Sequence, residues 1–129
     1  MVTPKDLKFS ETDEWIKVKG NSALIGITDF AQSQLSDIVY IEYELDVDDD
    51  FEKDETIATI ESVKAAADIH APVTGTIVEI NESLTDNPER LNEDPYGSWL
   101  YKILLKDPTE IDTLMDAETY DKFCEDRGD

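Results

Sequence analysis

The chain has 129 residues, of which 40% are apolar, enough for one compact core and therefore for one domain spanning residues 1–129. Its 32 acidic against 11 basic residues leave a formal charge of −21, which excludes nucleic acid and anionic membrane surfaces as partners, since both recruit lysine and arginine. Cys124 is the only cysteine, so neither an internal disulfide nor a protein dithiol is available.

No apolar run approaches the roughly 20 residues of a spanning helix. The opening MVTPKDLKFS has neither a hydrophobic signal core nor an arginine-rich presequence. A cytoplasmic location is expected, or the mitochondrial matrix if this is a processed eukaryotic chain.

In chain order, EWIKVKG at 14–20 and SALIGIT at 22–28 read as strands, joined by Gly20-Asn21, which can take positive φ at low cost. TDFAQSQL reads as a short helix with Thr28 as N-cap and Ala31 and Leu35 on one face. DIVYIEYEL at 37–45 returns to strand.

The acidic run ELDVDDDFEKDE follows, with Asp46, Asp48 and Asp50 at the alternate spacing of a calcium loop. Counting from Asp46, however, Phe51 stands where the sharp-turn glycine is needed and Ile57 where the bidentate glutamate is needed. It reads as a solvated acidic hairpin or loop.

TIATIES at 56–62, DIHAP at 68–72 and TGTIVEIN at 74–81 are the next strands, with Pro72 before a reversal. In the last of them Ile77, Val78 and Ile80 only partly alternate with polar residues, which leaves its register open. DNP at 86–88 marks a loop, and SWLYKILL at 98–105 closes a β body of about 14–105.

A helical extension over about 107–126 is predicted to follow. Asp107 caps a first segment with Pro108 at its first position, and DAETYDKFCED places Tyr120, Phe123 and Cys124 at packing positions. The spacing of the strands predicts a mainly β sandwich or barrel.

Catalytic motifs are not found. The five glycines form no phosphate loop, Ser62 has no nucleophile elbow around it, and one histidine, His70, with one cysteine cannot make a zinc site. Lys64 stands apart, because ESVKAAADIHAP sets it among small residues between two β-rich flanks. If those flanks pair antiparallel, Lys64 falls at or beside an exposed hairpin tip, where an amine could accept a covalent arm.

ESVKAAADIHAPVTGTIVEIN resembles the lipoylation segment of the glycine cleavage system H protein family. DEW near the start, GITDFAQSQL, DIVYIEYEL, LTDNPERLNEDPYGSWLYKI and YDKFCED extend the likeness in the right order over nearly the whole chain. Val63 and Ala65 flank the lysine where biotin domains carry methionines. Lipoyl domains of 2-oxoacid dehydrogenases are shorter and usually have D-K-A at the tip.

The resemblance implies a lipoyl-domain-like barrel-sandwich of two packed sheets with a short internal helix and C-terminal helices. It implies lipoate in amide linkage on Lys64, with Glu61, Ser62, Val63 and Ala65 recognised around it, and Glu14 and Asp68 as candidate carboxylates holding the aminomethyl adduct of an arm folded back on the body. Such a carrier is no enzyme.

Its implied partners are pyridoxal-phosphate glycine decarboxylase, the tetrahydrofolate-dependent aminomethyltransferase, dihydrolipoamide dehydrogenase with FAD and NAD, and a lipoate ligase or lipoyl transferase, with the carrier itself a monomer. A lipoate relay and an unmodified acidic interaction domain are the alternatives.

Three departures stand out. Asp13-Glu14-Trp15 replaces the family's His-Glu-Trp, Ser36-Asp37 replaces Gly-Asp, and the acidic run lacks the usual proline and glycines. The first adds a fixed charge beside Glu14 and removes a titratable one.

Overall fold

A computed structural model of the protein describes residues 3–127. The ends of the expected domain, residues 1–2 and 128–129, lie outside the described residues, as does the very start of MVTPKDLKFS.

The strands are β1 (Lys8–Phe9), β2 (Glu14–Lys19), β3 (Ser22–Ile27), β4 (Ile38–Tyr43), β5 (Asp50–Phe51), β6 (Thr56–Ser62), β7 (Ala66–His70), β8 (Gly75–Ile80) and β9 (Tyr101–Leu105). They form a six-stranded antiparallel sheet in the order β1-β2-β3-β9-β8-β5 and a three-stranded one in the order β4-β6-β7. The mainly β, two-sheet expectation is borne out.

The core lies between the sheets. Ile16, Ile25, Ile77 and Ile103 of the large sheet meet Ile41, Ile57, Ile60 and Ile69 of the small one, all buried, and their removal from water is the main force holding the layers together. Two polar ties cross the same gap. The Tyr101 hydroxyl donates to the Ile57 carbonyl at 2.7 Å, and the His70 backbone N–H donates to Glu14 Oε2 at 3.0 Å.

The broken alternation of TGTIVEIN has a physical cause. Ile77 pairs with Ile103 but Glu79 pairs with Lys102, so Val78 is the extra residue of a β-bulge and turns outward while Ile77 points in.

Gly20 takes φ +65° in the turn, and Thr28 caps α1 (Asp29–Leu35) by accepting from Ala31 N–H at 3.1 Å. Two one-turn helices, α2 (Ser83–Asp86) and α3 (Arg90–Glu93), flank the predicted DNP loop. The strand expected from Ser98 begins only at Tyr101, and the one expected over 68–72 runs from Ala66 to His70.

After β9 the segment capped by Asp107 is a 3-10 helix, Pro108–Thr113, with Asp107 accepting from Thr109 N–H. The last helix, α4 (Ala117–Asp126), covers the outer face of β1 and β2 in a second apolar cluster of Leu7, Phe9, Trp15, Ala117 and Tyr120. Tyr120 stacks on Phe9 with ring centroids 4.7 Å apart.

In that cluster Trp15 lies directly over its cross-strand partner Gly26, and its indole N–H donates to the Pro95 carbonyl at 3.1 Å. A Cβ at Gly26 would meet the indole at 2.5 Å. Gly26→Ala is therefore expected to cost about 3 kcal/mol, because a buried, hydrogen-bonded ring must leave its place. The urea midpoint reports this directly, and an unchanged midpoint would contradict the packing.

Candidate functional site

Strands β6 and β7 form a hairpin whose last pair is Glu61 and Ala66. Ser62 N–H donates to the Ala65 carbonyl at 2.8 Å and closes the turn, while Ser62 Oγ accepts from Ala65 N–H at 3.1 Å and Lys64 N–H at 3.3 Å. The one hydroxyl therefore fixes both sides of the lysine's backbone.

Lys64 is exposed at the tip, between Val63 at 67% exposure and Ala65, and its ammonium makes no ion pair among the described residues. The structure thus brings Glu61, Ser62, Val63, Lys64 and Ala65 together at one end of the small sheet.

The tip is braced by a segment far away in sequence. Val63 N–H donates to the Asp37 carbonyl at 3.0 Å. The segment carrying Asp37 is itself held by Asn92 of α3, whose amide donates to the Ser36 carbonyl at 2.7 Å and whose Oδ1 accepts from Ile38 N–H at 2.9 Å. Asn92 escaped the sequence reading because a polar residue in a helical turn carries no sign of a partner 54 positions away.

Ser36 occupies the helix C-cap at φ 67°, ψ −146°, a region that glycine enters freely and a Cβ disfavours. This gives the departure from the family's glycine a structural cost. Ser36→Gly is expected to raise stability by about 1 kcal/mol while leaving the tip contacts intact. A fall in the thermal midpoint would contradict the strain.

Next to the tip, β4 carries a bulge between Ile38 and Tyr40, which leaves Val39 and Tyr40 both about half exposed. These join Val63 as apolar surface close to the lysine, since Ile38 pairs with Ser62. A signal for it was present in the four apolar residues 38–41, which simple alternation cannot place on one face.

Glu14 is not at the tip. It lies at the start of β2, wholly buried, against the opposite end of the hairpin. Ser10 Oγ donates to its Oε1 at 2.6 Å, Thr12 Oγ1 donates to the same oxygen, and His70 N–H donates to Oε2. Burial drives its pKa up to about 7, and the three hydrogen bonds only partly offset that.

His70 Nδ1 lies 4.0 Å from Oε2 and has no hydrogen-bond partner among the described residues. Ser10 and Thr12 also line a cleft of about 300 Å3 together with Lys53, Pro72 and Met115. Asp68 is exposed on β7, 3.5 Å from the Thr59 hydroxyl, and no described contact joins it to Glu14.

The Asp13 carboxylate is engaged elsewhere. It takes φ 73°, receives the Tyr120 hydroxyl at 2.7 Å, and accepts both guanidinium nitrogens of Arg127, at 3.1 and 2.6 Å. That guanidinium is stacked between Phe30 and Phe123 at 4.1 and 4.3 Å. The Asp13 charge thus anchors α4, and it also adds to the rise at Glu14 that burial begins.

Comparison with known proteins gives one consistent likeness. A family model described as "Glycine cleavage H-protein" matches residues 7–127. The glycine cleavage system H protein of Clostridium botulinum is 55% identical over 120 residues, covering 93% of this chain and 92% of that protein. That of Carboxydothermus hydrogenoformans is 48% identical over 129 residues, covering 99% and 98%. The crystal structure of a glycine cleavage system H protein from Mycobacterium marinum superposes with a TM-score of 0.80 at 29% identity, covering 92% of this chain and 96% of that one.

Proposed function

The chain belongs to the glycine cleavage H-protein family, a family of lipoyl carriers, and on that premise we propose that Lys64 is its attachment point and that it carries aminomethyl groups without turning over substrate itself. The single observation that supports this best is the exposed Lys64, without an ion pair among the described residues, on a braced turn between Val63 and Ala65. Lipoate in amide linkage there would supply a dithiolane able to accept the aminomethyl group of glycine and end as a dithiol for reoxidation.

The chain's own residues divide the remaining work. Ser62 and the Asp37 carbonyl hold the turn so that Nζ projects from a fixed base, and a group held in place needs less ordering when an enzyme takes it. Glu61, Val63 and Ala65, with the exposed Val39 and Tyr40, form the surface that a lipoate ligase or lipoyl transferase would read. Glycine decarboxylase, aminomethyltransferase and dihydrolipoamide dehydrogenase would approach the same end in turn, each meeting a monomeric carrier in the cytoplasm.

Glu14 would take a cationic amine folded back along β7, six residues from the tip and so at most about 20 Å away. Because its carboxylate is wholly buried, binding an ammonium would require the Ser10 or Thr12 hydroxyl to turn aside first. Asp68, exposed on the same strand, is the second carboxylate on that path.

The test is exchange of labelled bicarbonate into glycine by the glycine-decarboxylating enzyme, with the lipoylated chain as carrier. Exchange well above that of a Lys64→Ala control is expected. Exchange no higher than the control would overturn the cleavage role and leave the lipoate relay.

A further inference from the structure

The outward face of the large sheet holds a second feature that carriage through Lys64 does not use. Register places Lys17, Leu24, Lys102 and Glu79 side by side on β2, β3, β9 and β8, with Lys19 opposite Ser22 in the neighbouring row. Together with Trp99 these residues line a groove of about 400 Å3. Three of the chain's eleven basic residues are thus gathered beside an apolar floor on a protein of charge −21.

Little on the chain neutralises them. Lys17 pairs with Asp6 at 3.7 Å with both side chains more than half exposed, a contact that solvent screens, and among the described residues Glu79 is the one carboxylate lining the groove. Lys19 and Lys102 make no ion pair among the described residues.

We propose that this groove docks an extended acidic segment of a partner protein, with carboxylates reaching Lys17, Lys19 and Lys102 and an apolar side chain against Leu24 and Trp99. Alternate residues of an extended strand are about 7 Å apart, which matches the spacing of Lys17 and Lys19 along β2. Residues two strands apart, as Lys17 and Lys102 are, stand about 10 Å from each other.

A local patch opposite in sign to the chain's net charge of −21 gives orientation as well as attraction, because that net charge disfavours approach of an acidic segment elsewhere. A second copy of the chain is disfavoured by the same repulsion. The groove is on the large sheet and Lys64 is on the small one, so a docked partner leaves the lysine hairpin free.

The probe is acetyl-Glu-Phe-Glu-Leu-Glu-amide, titrated to millimolar concentration into the 15N-labelled chain, with the peptide bearing glutamine for glutamate as control. Amide shifts confined to residues 17–24 and 99–102 are expected. They should weaken about tenfold in Lys19→Gln/Lys102→Gln and fade in molar salt.

Absence of shifts, equal shifts with the neutral peptide, or shifts centred on Lys64 would each overturn the assignment. Amide shifts at residues 17–24 and 99–102 that grow with protein concentration before peptide is added would place a second copy in the groove and overturn it as well. The bicarbonate exchange assay does not involve this peptide, so the two readings fail independently.

Discussion

Lys64→Arg is expected to abolish lipoylation completely while leaving the fold untouched. The tip is formed by backbone contacts and by Ser62, none of which uses the lysine side chain, and the ammonium has no ion pair to lose among the described residues. Stability should therefore stay within about 0.5 kcal/mol of the parent, the usual range for an exposed substitution.

Chemistry responds differently. Amide formation needs a neutral amine as nucleophile, and a guanidinium remains protonated and delocalised at any pH a protein tolerates. Intact mass after treatment with a lipoate ligase should show the lipoyl increment on the parent and none on the variant. An increment that persists on Lys64→Arg would move the acceptor to another lysine and sink the assignment.

The second large effect belongs to Glu14. Its folded pKa is raised from 4.5 to about 7 by burial, so the folded state favours the protonated form. The stabilisation this gives is fully present below pH 4.5 and is lost as the pH rises through about 7. The shift corresponds to something on the order of 3 kcal/mol.

Exposed carboxylates with lowered pKa, such as Asp50 with its Thr76 hydrogen bond and Asp116 with its helix-cap contact, act in the opposite sense and only as the pH falls into their acid range. The window from pH 5 to 7 is therefore where Glu14 shows. Urea unfolding across that window should give a declining stability for the parent and a flatter profile for Glu14→Gln, which cannot ionise. Parallel profiles would mean that the carboxylate has access to water in the folded protein.

Much of the β body was legible because its signals are local. Gly20-Asn21 announced a turn and Thr28 a helix start, and the strands on either side of Lys64 placed it at a hairpin tip. Strands β1 and β5 were not legible, since two residues have no period to detect, and α2 and α3 are single turns. The acidic run read as a solvated hairpin or loop hides Phe51, which is buried in the main core and pairs with Gly75.

Within the site, sequence determined the lysine, its small neighbours and the serine that closes the turn, because these act within four consecutive residues. Only tertiary structure decided that Asn92 braces the tip through Ser36 and Ile38, that Glu14 is buried against His70, and that Asp13 belongs to Arg127 and Tyr120. It also decided that Lys17, Lys19 and Lys102 share one groove. A side chain's charge is written in the sequence, but its partner, its burial and hence its pKa depend on which distant strand folds beside it.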